Sequence, residues 1–168
     1  YRTFLNYVNK DIVKSVVIVG MEQAKHDELE GACITLRAAL VMEPDNVDAL
    51  YNYMLVCRNL YLESDDKQFV TDFKTEVFES LIRLQELAPD LDKTYYYLGF
   101  AYLNAGKYRD AHIAWDRFLK LSGPCSERME IRDRLKELEE PVKIEKGYEL
   151  VIGGRWNEGL SILEQYKD

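Results

Sequence analysis

The sequence predicts an all-α protein built from helix hairpins that stack on one another. Apolar residues recur at helical spacing along nearly the whole chain, and no segment shows the alternating pattern of a convincing strand. Two similar phrases, MEPDNVDALYNYM around Pro44 and LAPDLDKTYYYLG around Pro89, each join a helix end, a Pro-Asp turn and a polar segment that can cap the next helix. These prolines are 45 residues apart, and Pro124 follows 35 residues later. Such spacing indicates repeated hairpins, each of which needs a neighbour to bury its apolar face.

Composition narrows the range of functions. The 168 residues are sufficient for one domain with a real core, and 47% hydrophobic and 31% charged residues are typical of a soluble globular protein. The net charge of −8 argues against binding to nucleic acid or to an anionic membrane surface, because both need a basic patch. Three cysteines without short-range pairing favour buried thiols in a reducing compartment, so we expect a cytoplasmic protein.

The segment that begins at Asp92 carries the densest motif. With Asp92 as position 1, aromatic residues stand at positions 4, 11, 17 and 24, Leu-Gly at 7 and 8, Gly at 15 and Ala at 20. The residues concerned are Tyr95, Leu98, Gly99, Tyr102, Gly106, Tyr108, Ala111 and Trp115. This pattern resembles the tetratricopeptide repeat (TPR), a helical hairpin of about 34 residues. Two positions depart from it, since Phe118 replaces a small residue and Pro124 falls one place late.

The resemblance implies a right-handed α-solenoid of about four antiparallel hairpins, forming a single TPR-like domain over residues 1–168. We expect copies at residues 13–46, 47–91, 92–125 and 140–168, an N-terminal helix or cap at 1–12, and an extra charged helix at 126–140. The second copy is longer by about 11 residues, which predicts two overlong helices that turn near residues 64–66. Pro141 predicts a sharp bend or a loose joint after the extra helix.

Small residues at fixed positions predict how the helices pack. Gly20, Gly99 and Gly147 would let the two helices of a hairpin approach closely, and Gly106 and Gly154 suit the left-handed residue that ends a helix. In the first copy the repeat phase directs Val19 inward. The same phase directs Tyr95 into the core and leaves Tyr96 and Tyr97 on another face.

The sequence offers little for catalysis. His26 and His112 have no partners at metal-ligand spacing, no glycine loop could hold a phosphate, and no Ser or Cys stands in a nucleophile motif. We therefore expect a protein that is not an enzyme and that uses neither a metal nor another cofactor.

The resemblance implies a concave groove lined by the first helix of each hairpin. The groove positions of the first copy are Lys14, Val17, Ile18, Met21, Ala24 and Lys25. Asp48 in the second copy and Leu103 in the third are further groove positions. The residues expected to contact a partner are Tyr51, Asn52, Leu55, Arg58, Asn59, Lys93, Tyr96, Tyr97, Phe100, Asn104 and Tyr148. Aromatic side chains would anchor a peptide or helix of a partner protein, the asparagines would bond its backbone, and Lys93 and Arg58 would meet an acidic group.

Two alternatives remain at this stage. The chain is either such a peptide-binding scaffold or a structural, self-associating module, such as a homodimer, whose groove is filled internally by neighbouring helices including residues 126–140. A third possibility is disfavoured: TPR proteins that clamp the carboxylate of chaperone tails need five particular residues, and only Asn52 and Lys93 match here.

Overall fold

The computed structural model describes the backbone of residues 2–166 and the side chains of residues 11–166. This part of the chain contains nine α-helices and a final 3₁₀ turn, and it contains no strand. The helices are α1 (Arg2–Lys25), α2 (Leu29–Met42), α3 (Val47–Glu63), α4 (Lys67–Leu87), α5 (Asp92–Asn104), α6 (Tyr108–Leu121), α7 (Glu127–Glu137), α8 (Glu139–Ile152) and α9 (Trp156–Leu163), and the 3₁₀ turn is Glu164–Tyr166. The predicted all-α class is confirmed.

The helices form two compact units, unit 1 (Tyr1–Pro89) and unit 2 (Asp90–Asp168). In unit 1, α1 pairs with α2 and α3 pairs with α4, and α2 and α1 both contact α3. In unit 2, α5 pairs with α6 and α8 pairs with α9, while α7 contacts both α6 and α8. Four hairpins and one extra helix therefore account for the described helices. The limits of the individual repeat copies stay a prediction.

The core of unit 1 fixes the rotation of α1. Gly20 faces α2, where an added Cβ would lie 2.7 Å from Cγ of the fully buried Leu36. The buried stripe of α1 runs through Val13, Val17 and Gly20, the i, i+4, i+7 spacing of a helix face. Val19 is consequently 52% exposed, so the prediction that it points into the core was wrong. No break separates the predicted cap from the first copy, because α1 is continuous from Arg2; Tyr1 lies outside the described residues.

The lengthened second hairpin turns where the sequence predicted. Helix α3 ends at Glu63 and α4 begins at Lys67. The carboxylate of Asp66 accepts hydrogen bonds from the backbone N–H groups of Gln68 (2.8 Å) and Phe69 (3.1 Å). It thereby caps two of the donors that a helix N-terminus leaves without partners.

Unit 2 is organised around Trp115, which is completely buried. Gly99 faces the indole ring, and an added Cβ would lie 2.1 Å from its Nε1. That nitrogen donates a hydrogen bond of 3.1 Å to the backbone carbonyl of Tyr96. Tyr95 is buried, whereas Tyr96 and Tyr97 are half-buried. The three consecutive tyrosines thus divide between core and surface as the repeat phase predicts.

The joint between α7 and α8 differs from the sequence prediction. The helices meet at Leu138, and Pro141 lies inside the first turn of α8 instead of marking a bend. Proline is tolerated there because its missing N–H would have no partner within the helix. Helix α7 is held by Ile131, which is fully buried. Gly154, with φ of 83°, makes the left-handed turn between α8 and α9.

Candidate protein-binding surfaces

A cleft of about 590 Å³ lies in unit 1 between α1 and α3, the first helices of the first two hairpins. We name it the α1–α3 cleft, and its lining residues are Lys14, Val17, Ile18, Met21, Glu43, Asn46, Asp48 and Asn52. Six of these eight were predicted from the sequence to line a concave face. Glu43 and Asn46 were missed because they belong to the turn between α2 and α3, and the repeat phase assigns only positions on the first helices.

The cleft combines an apolar floor with a polar rim. Ile18 is 51% exposed, Met21 is partly exposed, and Val17 is buried beneath them. On the rim, Asn46 Nδ2 donates to Glu43 Oε2 at 2.9 Å, and its side-chain oxygen caps α3 by accepting from the N–H of Ala49. An exposed apolar area bordered by polar groups is typical of a surface that meets another protein.

The other predicted contact residues of unit 1 continue along α3. Asn52 lines the cleft, and its Nδ2 donates to the carbonyl of Asp48 at 2.7 Å. Tyr51, Leu55 and Arg58 are half-buried, and Asn59 is exposed; none of these four lines the cleft. Tyr51 and Arg58 already interact within the chain.

In unit 2, Tyr96, Tyr97 and Phe100 form an aromatic cluster on α5, which we name the α5 aromatic cluster. The Tyr96 ring centroid lies 5.1 Å from those of Tyr97 and Phe100, and 5.4 Å from that of the buried Phe118 on α6. Tyr96 therefore supports the hairpin as well as presenting a surface. Asn104 is exposed at the end of α5, and Tyr148 is exposed on α8.

Helix α7 contributes carboxylates to the surroundings of this cluster. Lys93 Nζ pairs with Glu127 Oε1 at 2.6 Å, and the Tyr96 hydroxyl donates to Glu130 Oε2 at 3.2 Å. The hydrogen bond from Lys93 lowers the pKa of Glu127 to about 2. Burial, reinforced by the charge of Glu130, raises the pKa of Tyr96 to about 12. Lys93, which was predicted to meet an acidic group of a partner, thus pairs with a carboxylate of this chain.

Arg128 holds α7 in position for these contacts. Its Nη1 donates to the carbonyl oxygens of Leu119 and Ser122, both at 2.7 Å, at the end of α6. A cation suits a helix C-terminus, where carbonyl groups lack partners within the helix. Helix α7 is therefore a fixed part of unit 2.

A polar network missed by the sequence analysis joins three helices of unit 1. Arg37 on α2 donates to the Tyr53 hydroxyl on α3 at 2.6 Å and to the Glu76 carboxylate on α4 at 2.7 Å, and Tyr53 itself donates to Glu76. Burial raises the pKa of Tyr53. Burial also acts to raise the pKa of Glu76, but the hydrogen bonds from Tyr53 and Arg37 outweigh it and lower the pKa overall. We assign this network a structural role, because it joins side chains of α2, α3 and α4 to one another.

Metal-binding clusters and membrane-spanning helices are both absent from the described part of the chain. Residues 11–166 contain no group of three or more His, Cys, Asp or Glu side chains that could hold a metal ion. None of the helices described above is both long enough and apolar enough to span a membrane.

Successive helix hairpins are the arrangement of a helical-repeat protein. Comparison with solved structures shows that the repeat is of the tetratricopeptide type. The chain superposes on the TPR domain of P58(IPK) over 91% of its own length and 40% of that domain, with a TM-score of 0.66 and 19% sequence identity. The chain therefore spans well under half of that domain. The TPR resemblance predicted from the sequence is confirmed as the fold.

Two other structures share the fold and contain peptides. One is the first TPR of Spaghetti (RPAP3) bound to an HSP90 peptide, with a TM-score of 0.61, 15% identity, and coverage of 77% of this chain and 92% of that one. The other is the Yersinia enterocolitica type III secretion chaperone SycD in complex with a peptide of the translocator YopD, with a TM-score of 0.58, 13% identity, and coverage of 81% and 95%. No protein-family model matches the sequence, and no curated protein matches it either.

Proposed function

We propose that the chain is a non-catalytic protein-interaction scaffold that binds a peptide or helix of a partner protein. The observation that carries this proposal is the α1–α3 cleft, with Ile18 and Met21 on its floor and charged groups on its rim. The peptides bound to RPAP3 and SycD support it, because both proteins share the fold. We also propose a cytoplasmic location, since the buried Cys33 and Cys57 and the exposed Cys125 are free thiols.

We propose contact residues on α1, on α3 and on the turn before α3 in unit 1, and on α5 and α8 in unit 2. In unit 1 they are Tyr51, Asn52, Leu55, Arg58 and Asn59, together with the residues that line the α1–α3 cleft. In unit 2 they are Lys93, Tyr96, Tyr97, Phe100, Asn104 and Tyr148. Tyrosine side chains suit this role because each offers a large apolar ring and a hydroxyl.

A peptide selection tests the proposal. Random peptides displayed on phage would be selected on the wild-type chain and then tested on Ile18→Glu, which places a charge on the cleft floor. Ile34→Glu is the matched control, since Ile34 is 72% exposed on α2 and does not line the cleft. We expect the selected peptides to bind the wild-type chain and Ile34→Glu, and we expect them not to bind Ile18→Glu. Equal binding to all three proteins, or no selected peptide, would exclude the cleft as the binding site.

The second candidate is a structural or self-associating module, and contacts within unit 2 favour it specifically. Glu127 and Glu130 of α7 already engage Lys93 and Tyr96, so part of the predicted surface is filled by the chain itself. Light scattering on wild type and Tyr97→Ala separates the two candidates. A wild-type dimer that the variant converts to monomer favours self-association, and a monomer in both proteins favours the scaffold.

A further inference from the structure

The rim of the α1–α3 cleft offers hydrogen-bond acceptors in excess of donors. The carboxylates of Glu43 and Asp48 and the side-chain oxygen of Asn52 all accept hydrogen bonds. The amide Nδ2 groups of Asn46 and Asn52 each use one of their two N–H donors, on Glu43 and on the Asp48 carbonyl respectively. Among the lining residues, Lys14 is the one cationic side chain. A ligand rich in donors therefore matches this rim.

The two rim carboxylates, Glu43 and Asp48, take part in none of the described ion pairs of unit 1. Those pairs join Lys25 to Glu22, Arg37 to Glu76 and Arg83 to Asp45. The lining residues carry two carboxylates and one ammonium group, on a chain with a net charge of −8. An acidic peptide would meet like charges at this rim, and like charges that are brought together oppose association.

We propose that the α1–α3 cleft binds a cationic amphipathic segment of a partner protein. Apolar side chains of that segment lie on Ile18 and Met21, and a lysine or arginine lies between Glu43 and Asp48. This inference rests on the proposed function and adds the chemistry of the partner. It differs from recognition of an acidic chaperone tail, for which three of the five required residues are absent.

Two synthetic peptides of equal length test the inference. Both carry leucine at helical spacing, one with lysine and the other with glutamate at the remaining positions. Each is labelled with fluorescein and titrated with the full chain, and binding is followed by fluorescence anisotropy. We expect the lysine peptide to bind and the glutamate peptide to fail.

Two charge-matched variants separate a local contact from the overall field of an acidic protein. Glu43→Gln/Asp48→Asn removes two charges from the rim, and the glutamine amide still offers an oxygen to Asn46. Glu63→Gln/Asp65→Asn removes two charges from the end of α3 and the turn that follows it, where both residues are exposed. Asp48 and Glu63 stand at opposite ends of α3, about 22 Å apart along the helix. We expect the rim variant to lose about tenfold in affinity for the lysine peptide and the control to lose less than about twofold.

Three results would overturn the inference. Equal losses in the two variants would show that the general negative field attracts the peptide. If the glutamate peptide binds and Ile18→Glu abolishes that binding, the charge preference of the cleft is the reverse of the one proposed, and the proposed function stands. If neither synthetic peptide binds although the phage selection yields peptides that depend on Ile18, the cationic partner is rejected and the proposed function stands. If the phage selection also yields no peptide, the proposed function is rejected as well.

Discussion

Gly99 and Trp115 show how single residues set the spacing of the hairpin helices. Any side chain at position 99 would enter the space of the indole ring, and the ring is fixed by its hydrogen bond to the carbonyl of Tyr96. Gly147 has the same relation to Leu163, whose Cγ would lie 2.8 Å from an added Cβ. Gly99 and Gly147, which stand at the same position of their repeats, are therefore required by close packing.

We expect Gly99→Ala to destabilise the protein by about 3 kcal/mol, the upper end of the usual cost of overpacking, because the buried indole has little room to shift. Urea unfolding followed by circular dichroism measures the change. Gly123→Ala is the control, since an added Cβ there meets open space, and its effect should stay within about 0.5 kcal/mol. Similar effects of the two substitutions would contradict the packing described for Gly99.

Tyr95→Ala should cost about 3–5 kcal/mol, the usual cost of removing a buried aromatic side chain. Tyr97→Ala should cost less than half as much, because Tyr97 is only half-buried. The comparison again uses urea unfolding. A loss below about 0.5 kcal/mol for Tyr95→Ala would show that the repeat phase is misassigned.

The pair of Lys93 and Glu127 predicts a pH dependence. Because the pKa of Glu127 in the folded protein is about 2, below its ordinary value of 4.5, the pair stabilises the fold above about pH 5 and this contribution is lost as the pH falls toward 2. We therefore expect Glu127→Gln to lower the urea midpoint at pH 7 and to have no effect near pH 2. In a Lys93→Met background the effect at pH 7 should shrink, and an undiminished effect would show that Lys93 is not its main source.

Among the helices, α4 depends on an N-terminal cap formed by Asp66. Ser-Asp-Asp precedes the helix, and Asp66 is the residue whose carboxylate accepts the two backbone N–H groups. Only residues 64–66 connect α3 to α4, so the two long helices form one hairpin with a short turn.

Asp66→Ala should destabilise unit 1 by about 1 kcal/mol, since it leaves two N–H groups of α4 without their protein partner. Asp65→Ala, one residue earlier, should change stability by less than about 0.5 kcal/mol because Asp65 is exposed and does not cap the helix. Thermal unfolding of the two variants provides the comparison. Equal effects would assign the stabilisation to local charge instead of to the cap.

Considered as a whole, the chain carries a natural probe in each compact unit. Both tryptophans, Trp115 and Trp156, belong to unit 2, and the buried thiols of Cys33 and Cys57 belong to unit 1. Cys125 is exposed and would be changed to serine in every protein used for labelling. Thiol labelling then reports the opening of unit 1, and tryptophan fluorescence reports the unfolding of unit 2.

We expect Leu36→Ala to act mainly on unit 1, because Leu36 is fully buried against Gly20 within that unit. The loss of about 2–5 kcal/mol should speed labelling of Cys33 and Cys57 by about 30-fold or more. The urea midpoint of tryptophan fluorescence should remain unchanged. A midpoint that falls together with the rise in labelling would show that the two units unfold as one.

The sequence by itself determined the helical class, the repeat type and the packing residues. Glycine, alanine and aromatic side chains at fixed spacing indicate where two helices pack closely. For this reason the sequence could assign Tyr95 to the core and Tyr96 and Tyr97 to another face. The position of Pro141 was misread because proline disrupts a helix interior but fits its first turn. The rotation of α1 was misread at Val19, since several faces of that helix are apolar and only contact with Leu36 selects one.

Only the tertiary structure decided which side chains of the candidate surfaces come together. Glu43 joins the cleft rim because the turn after α2 lies beside α1 and α3, and Lys93 is neutralised because α7 brings Glu127 to it across 34 residues of sequence. Such contacts depend on how helices pack, and side-chain spacing within one helix carries no information about them. The sequence therefore determined the hairpins and the residues that pack them, and the packing of the helices decided which charged side chains lie together.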